Sequence, residues 1–276
     1  MRISVTHSTL YRYEAAVYPE PHTIRLRPRD DAAQRLLEFA LDVSPAPAGR
    51  SESLDQDGNV VTEVWFGRMI EELSVRSSFQ VETRRENPFD FVPIAPPAEY
   101  PEPLRAALAP YLHADAGPAA AEFVRSIPEA GGDTVPFLIA LNRRLFESFG
   151  HTIRDDGPPN PPEVTLRDGA GSCRDLAVLF CAACRNLCIA ARFVSGYESG
   201  AALDARPEMH AWAEVYLRGG GWRGYDPSQG LAVSTGHVAV AAAADPLLAA
   251  PISGAYRGAA ASHIDFAISM QVDPGR

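Results

Sequence analysis

Three residues in the 276-residue sequence could together perform nucleophilic chemistry: Cys173, His210 and Asp226. Cys173 follows Gly171-Ser172, where a loop meets an apolar helical run that reaches about Asn186. Ser172 suits the N-cap, and Asp175 falls in the first turn, where a carboxylate complements the helix dipole. A thiol at this place sits under the positive end of the helix, which favours the thiolate. Its own backbone N–H lacks an intrahelical partner, as an oxyanion-binding donor must. A thiolate nucleophile also needs a base to hold its proton, and the base needs an acceptor to orient it. His210 opens the run His-Ala-Trp-Ala-Glu-Val-Tyr-Leu, whose alternation puts His210, Trp212 and Glu214 on one face of a strand. Asp226 ends the short run Trp222-Arg223-Gly224-Tyr225-Asp226, and Gly219-Gly220-Gly221 between the two runs makes a natural hairpin turn. His210 and Asp226 are therefore read side by side on adjacent antiparallel strands, facing a cysteine at a helix start. That is a Cys-His-Asp triad.

Elements of two textures must position these residues. The first ninety residues alternate apolar and polar with period two, in Thr9–Tyr13, His22–Arg27, Leu37–Val43, Val60–Phe66 and Leu73–Val81. Asp55-Gln56-Asp57-Gly58-Asn59 supplies a turn signal among them. Short strands at this spacing predict an antiparallel β-sandwich. Pro93 to Pro103 carries five prolines in eleven residues and reads as a stiff linker. Helical patterns follow at Leu104–Leu112, Ala119–Ile127 and Val135–Phe149, and after Cys173 the strands return at Ala191–Tyr197, His210–Leu217, Trp222–Tyr225 and His263–Val272. The reading divides the chain into a sandwich at 1–92, a linker at 93–103 and a catalytic domain at 104–276.

Four blocks carry a family resemblance: Gly171-x-Cys173-x-Asp175, Arg192-x-Val194-x-Gly196-Tyr197, His210-Ala211-Trp212-x-Glu214-Val215 and Gly221-Trp222-x-x-x-Asp226-Pro227. Their order and their intervals, 37 residues from Cys173 to His210 and 16 more to Asp226, resemble the core of the transglutaminase-like cysteine peptidases. The N-terminal half, with Tyr11-x-Tyr13, Leu26-Arg27-x-Arg29 and Asp57-x-Asn59, resembles the β-rich region that precedes this core in bacterial members. The tail, with Gly236-His237-Val238-Ala239-Val240-Ala241 and Gly254-Ala255-Tyr256-Arg257-Gly258, is similar to the family's closing segment. The resemblance implies an α+β fold, an N-terminal antiparallel β-sandwich followed by a papain-like or transglutaminase-like core. In such a core the helix bearing the cysteine packs on an antiparallel sheet bearing His and Asp. It further implies that Cys173 is the nucleophile, His210 the general base and acid, and Asp226 the orienting group. Amide bonds would be hydrolysed or transamidated through a thioester, with neither metal nor cofactor in the catalytic step. Trp212, Arg174, Asp175 and His151 are taken as residues around the substrate or supporting the triad. The second oxyanion donor stays open between His151 and Asn160.

The sequence also departs from the family pattern. Asn186-Leu187-Cys188-Ile189-Ala190-Ala191-Arg192 stands where Gly-Ile-Pro-Ala-Arg is usual, so Cys188 takes a place where glycine would adopt positive φ. Arg174 and Ser228 replace a common Gln and Thr beside the site. Cys181, Cys184 and Cys188 are read as helix packing, since no second cysteine pair completes a metal site. His7, His22, His113, His237 and His263 are read as surface or structural residues.

Composition narrows the alternatives. All 25 basic residues are arginine, so a Schiff-base lysine, a pyridoxal-phosphate anchor, a P-loop lysine and a Ser–Lys dyad are excluded. A net charge of −10 without a basic stripe argues against nucleic acid as a partner. No apolar run approaches the length of a membrane span, and the N-terminus lacks a secretory h-region. The four cysteines lie within sixteen residues, unlike a secreted disulfide framework, so a cytoplasmic protein with reduced thiols is expected. The expected partner is a peptide or protein amide. The leading reading is a cysteine amidohydrolase; transglutaminase-type transfer to an amine and a non-catalytic scaffold are the alternatives.

Overall fold

The alternation of the first ninety residues becomes six strands: β1 (Arg2–Pro19), β2 (His22–Ile24), β3 (Gln34–Ser44), β4 (Gly49–Leu54), β5 (Val60–Trp65) and β6 (Ile70–Thr83). The structure is a computed structural model and describes residues 1–94, 99–113, 117–154, 157–200 and 208–274. Helices follow: α1 (Glu102–Ala107), α2 (Ala109–Leu112), α3 (Pro118–Arg125) and α4 (Thr134–Ser148). The stretch read as one helix over 104–112 is broken at Leu108, because Pro110 in the next turn has no N–H to continue the ladder. Next come β7 (Gly150–His151), α5 (Pro162–Asp168), β8 (Ala170–Gly171) and α6 (Cys173–Asn186). The chain then forms β9 (Ala191–Glu198), β10 (His210–Leu217), β11 (Gly221–Asp226), β12 (Leu231–Ala232) and β13 (His237–Ala243). Three strands close it: β14 (Ile252–Ser253), β15 (Tyr256–Arg257) and β16 (Ser262–Asp273).

Two sheets form the sandwich. In the larger, β1 lies between β6 and β16, β3 lies outside β6, and β15 joins the end of β1. The smaller has the order β14-β2-β5-β4. Odd-numbered residues of β1 and β6 point inward, giving one long apolar face. That face does two jobs. At one end Tyr13, Val17, Leu73 and Val75 pack on Ile24, Val64 and Phe66 of the smaller sheet side. At the other end Ile3, Val5, Phe79 and Val81 pack on Tyr197, Val238 and Val240 of the β12-β11-β10-β9-β13 sheet. The opposite face of this central sheet carries α6, α4 and α3 over Ala213, Val215, Leu217 and Tyr225.

The chain is thus not distributed as three segments in sequence. β16 pairs with β1 from Tyr13↔Ser262 to Arg2↔Asp273, and β14 pairs with β2, so the end of the segment assigned to the catalytic domain completes both sandwich sheets. An 18-residue β1 with a bare edge would be an open template for pairing, and β16 covers it. Residues inside the proline-rich stretch are docked: Ile94 donates its N–H to Arg218 O, and the Tyr100 hydroxyl bonds Tyr216 O and receives the Ala190 N–H. Within that stretch, residues 95–98 lie outside the described set.

Two side chains tie the sandwich to the edge of the central sheet. Gln34 donates to Ala239 O and accepts from Ala239 N, both at 2.8 Å. Asn59 does the same with Ala242, at 2.9 Å each way. Each primary amide imitates one residue of a neighbouring strand, so β13 has its outer backbone groups met from the N-terminal region.

Candidate active site

Cys173 is the first residue of α6, capped by Ser172. The carboxylate of Asp175 folds back to accept both the Ser172 N–H and the Ser172 hydroxyl at 2.8 Å. It also accepts from Arg154 at 2.7 Å and from the Asn160 N–H at 2.6 Å. Asp175 is fully buried, and with four donors it fixes the loop before the helix. The inner face of α6 buries Leu179, Phe180, Ala183 and Cys184 on the central sheet, which holds the helix start over the first residue of β10. Burial pushes the Cys181 thiol up to about 11 and that of Cys184 up as well, leaving both protonated packing groups. Cys173, by contrast, is only partly buried and opens on a cleft.

The β10–β11 hairpin sets Ala213 opposite Tyr225, which brings the start of β10 to the end of β11. His210 Nε2 and Asp226 Oδ2 meet at 2.6 Å, with Asp226 fully buried. Burial opposes charging the imidazole, but the hydrogen bond to Asp226 and one to the Cys173 side chain outweigh it and raise His210 to about 10. Because Nε2 faces Asp226, Nδ1 is the ring nitrogen left for the thiol. For Asp226, burial opposes the carboxylate, yet hydrogen bonds from His210 and His237 hold it well below the usual range. Its other oxygen accepts from Ser228 N at 3.0 Å, the Ser228 hydroxyl at 2.7 Å and Gln229 N at 3.2 Å.

His237 is the residue that the sequence reading sets aside. It lies on β13, buried, and its Nε2 reaches Asp226 Oδ2 at 3.1 Å, so two imidazoles share one carboxylate oxygen. Its signal in the sequence is faint. It opens the run His-Val-Ala-Val-Ala-Ala-Ala, which is too rich in alanine to stand out as a strand. Trp212 is buried beside the two imidazoles, its ring 5.2 Å from that of His237 and 6.3 Å from that of His210. Gly196 lies directly opposite His210; a Cβ there would fall 2.1 Å from Val238 O and 2.7 Å from the Trp212 ring, so no other residue fits between β9's neighbours. Donor atoms of His210, Asp226 and His237 lie within 4.8 Å of one another, a spacing a metal could use, although here they are joined by hydrogen bonds.

The remaining sequence candidates separate. Arg174 lines the cleft and donates to Arg154 O at 2.6 Å and Gly157 O at 3.1 Å, stapling the loop ahead of the helix. His151 also lines the cleft, on β7 beside β8. The Asn160 N–H is held on Asp175, away from the cleft lining. The cleft itself encloses about 550 Å³, with Cys173, Arg174 and His210 on one side. The sandwich lines it too, through His7, Thr9 and Tyr11 of β1 and Ile264 and Phe266 of β16.

Comparison with known proteins agrees with this architecture. Residues 3–82 match the bacterial transglutaminase-like N-terminal region, and residues 122–227 match the transglutaminase-like superfamily. The chain is 25% identical over 281 residues to an uncharacterized protein of Mycobacterium leprae, covering 98% of both chains. It is 28% identical over 291 residues to one of Mycobacterium tuberculosis, covering 98% of this chain and 92% of that one. A crystal structure of a candidate cysteine protease from Cytophaga hutchinsonii shares the fold with a TM-score of 0.75 at 19% identity, over 100% of this chain and 92% of that one. Among the described residues, no helix is long and apolar enough to cross a membrane. A core that sets a cysteine at a helix start against His and Asp on neighbouring strands, behind a matching N-terminal sheet region, makes the chain a member of the transglutaminase-like superfamily.

Proposed function

We propose that this protein is a cysteine-dependent amide hydrolase working through a thioester. The 2.6 Å bond between His210 and the buried Asp226, with the second ring nitrogen left for Cys173, is the observation that carries the reading. Cys173 Sγ attacks the carbonyl carbon of the amide, and the oxygen takes the negative charge beside the Cys173 N–H at the helix start. The C–N bond then breaks as His210 delivers its proton to the leaving nitrogen, giving a free amine and a thioester on Cys173. In the second half, His210 takes a proton from water, the hydroxide adds to the thioester, and the acid leaves as the thiolate re-forms. Asp226 stays ionised throughout and keeps the imidazole turned.

Iodoacetamide labelling followed by peptide mass mapping tests the nucleophile. Cys173 is expected to react far faster than Cys181, Cys184 and Cys188, and equal or slower labelling would sink the proposal. Cys173→Ala is expected to fold as the parent does and to lose hydrolysis of peptide amides. Adding a primary amine to the assay and weighing the products separates hydrolysis from transfer.

A further inference from the structure

Beside the exposed His151 and Thr152, large apolar side chains meet solvent on the walls of the cleft. Ile153, Leu247 and Ile264 are 71%, 57% and 47% exposed, and all three line the same cavity as Cys173. Exposed aliphatic side chains scattered over a surface need no explanation, but three gathered around one reactive thiol do. They come from three separate parts of the chain, and Phe266 of β16 continues the patch inward. The charged groups on the same walls are mostly committed elsewhere. Arg154 is held on Asp175, and Arg174 on two backbone carbonyls. His7 bonds the Tyr197 hydroxyl and the Thr9 hydroxyl, and its burial lowers it to about 4, so it is neutral at pH 7. Among the described residues, Glu208 is the one acidic side chain lining the cavity.

From this we infer, building on the hydrolase reading, that the cleft selects substrates with a bulky uncharged apolar side chain on the acyl side of the scissile amide. The acyl half is the part that stays bonded to Cys173 while water replaces the amine, so the walls around the thiol must hold it through both steps. The attacking sulfur must approach the carbonyl carbon to about 3–3.5 Å, which places the adjoining side chain on these walls. An aliphatic or aromatic group there removes apolar surface of both partners from water, whereas a charged one would lose hydration, with Glu208 alone among the described acidic residues to meet a cation.

The test uses the full chain and peptidyl acyloxymethyl ketones that place Leu, Phe, Gly, Glu or Arg next to the reactive ketone. Alkylation rates of Cys173 are read by mass spectrometry and divided by the iodoacetamide rate of the same protein, which cancels any change in the thiol itself. Leu and Phe probes are expected to react about tenfold or more faster than Gly and Glu probes. The double variant Leu247→Glu, Ile264→Glu, at positions 57% and 47% exposed, is expected to bring Leu and Phe down to the Gly rate. Normalised rates within twofold of each other, or an Arg probe fastest through Glu208, would overturn this inference and leave the nucleophile in place. A Cys173 inert to iodoacetamide would instead remove the hydrolase reading beneath it.

Discussion

Asp226 accepts hydrogen bonds from four residues. One of its oxygens serves His210 and His237, and the other holds the turn through Ser228 and Gln229. Its charge is what keeps His210 protonated: burial alone would lower an imidazole, and the pair with Asp226 and Cys173 raises it to about 10. The stability this contributes is fully present below the ordinary histidine value of about 6.5 and is lost as pH rises through about 10. In Asp226→Asn the supporting charge goes and burial prevails, so the alkaline limb of kcat/KM is expected to move to lower pH. The rate itself is expected to fall by about 10³–10⁴-fold. A pH–rate profile of both proteins checks this, and an unmoved alkaline limb would contradict it. The placement of Cys173, His210 and Asp226 was legible because a Gly-Ser-Cys helix start, a strand opening on His and a hairpin ending in Asp-Pro each have a local signature. His237 has none. A single histidine ahead of an alanine-rich run acquires its role only when β13 is laid beside β9.

At the scale of elements, the end of α6 shows a sequence departure with a structural cost. Cys188 adopts φ +57 while its N–H bonds Arg185 O and the Ile189 N–H bonds Cys184 O, both at 3.0 Å. This is the Schellman arrangement that glycine normally closes, and a Cβ in left-handed backbone costs roughly 1–2 kcal/mol. The Cys188 side chain is exposed, so little packing offsets that cost. Cys188→Gly is therefore expected to stabilise the protein by about 1 kcal/mol, after the greater freedom of glycine in the unfolded chain is subtracted. Urea titration monitored by tryptophan fluorescence measures the change, and a lowered midpoint would show that the thiol does something the backbone geometry does not reveal. Positions like this one are readable from sequence, because the turn that ends a helix is a local event. β13 is the contrary case. Its residues favour helix over strand, and it becomes a strand because β9 and the amides of Gln34 and Asn59 supply its hydrogen bonds.

For the whole molecule, the sandwich and the core share one chain path and one cleft. The sequence reading captured the sandwich and the core but drew a boundary between them, since composition changes at the prolines while pairing between distant strands leaves no local mark. Removing residues 1–92 would strip β16 of β1, expose the β13 edge, and uncover Tyr197, Val238 and Val240. A protein of residues 93–276 is accordingly expected to be insoluble or unfolded, whereas two independent domains would leave it folded and active; circular dichroism and size-exclusion chromatography distinguish the outcomes.

The pairing of β1 with β16 also imposes an order in time. A growing chain emerges from the ribosome with β1 and β6 in hand, while the strand bearing Ile264 and Phe266 follows some 250 residues after the β1 residues it will pair with. Cys173, His210 and Asp226 are all translated before the β16 side chains that line the cleft with Cys173 and His210. The cleft is therefore assembled last, and during synthesis the thiol has no finished pocket in which to hold a neighbouring nascent chain.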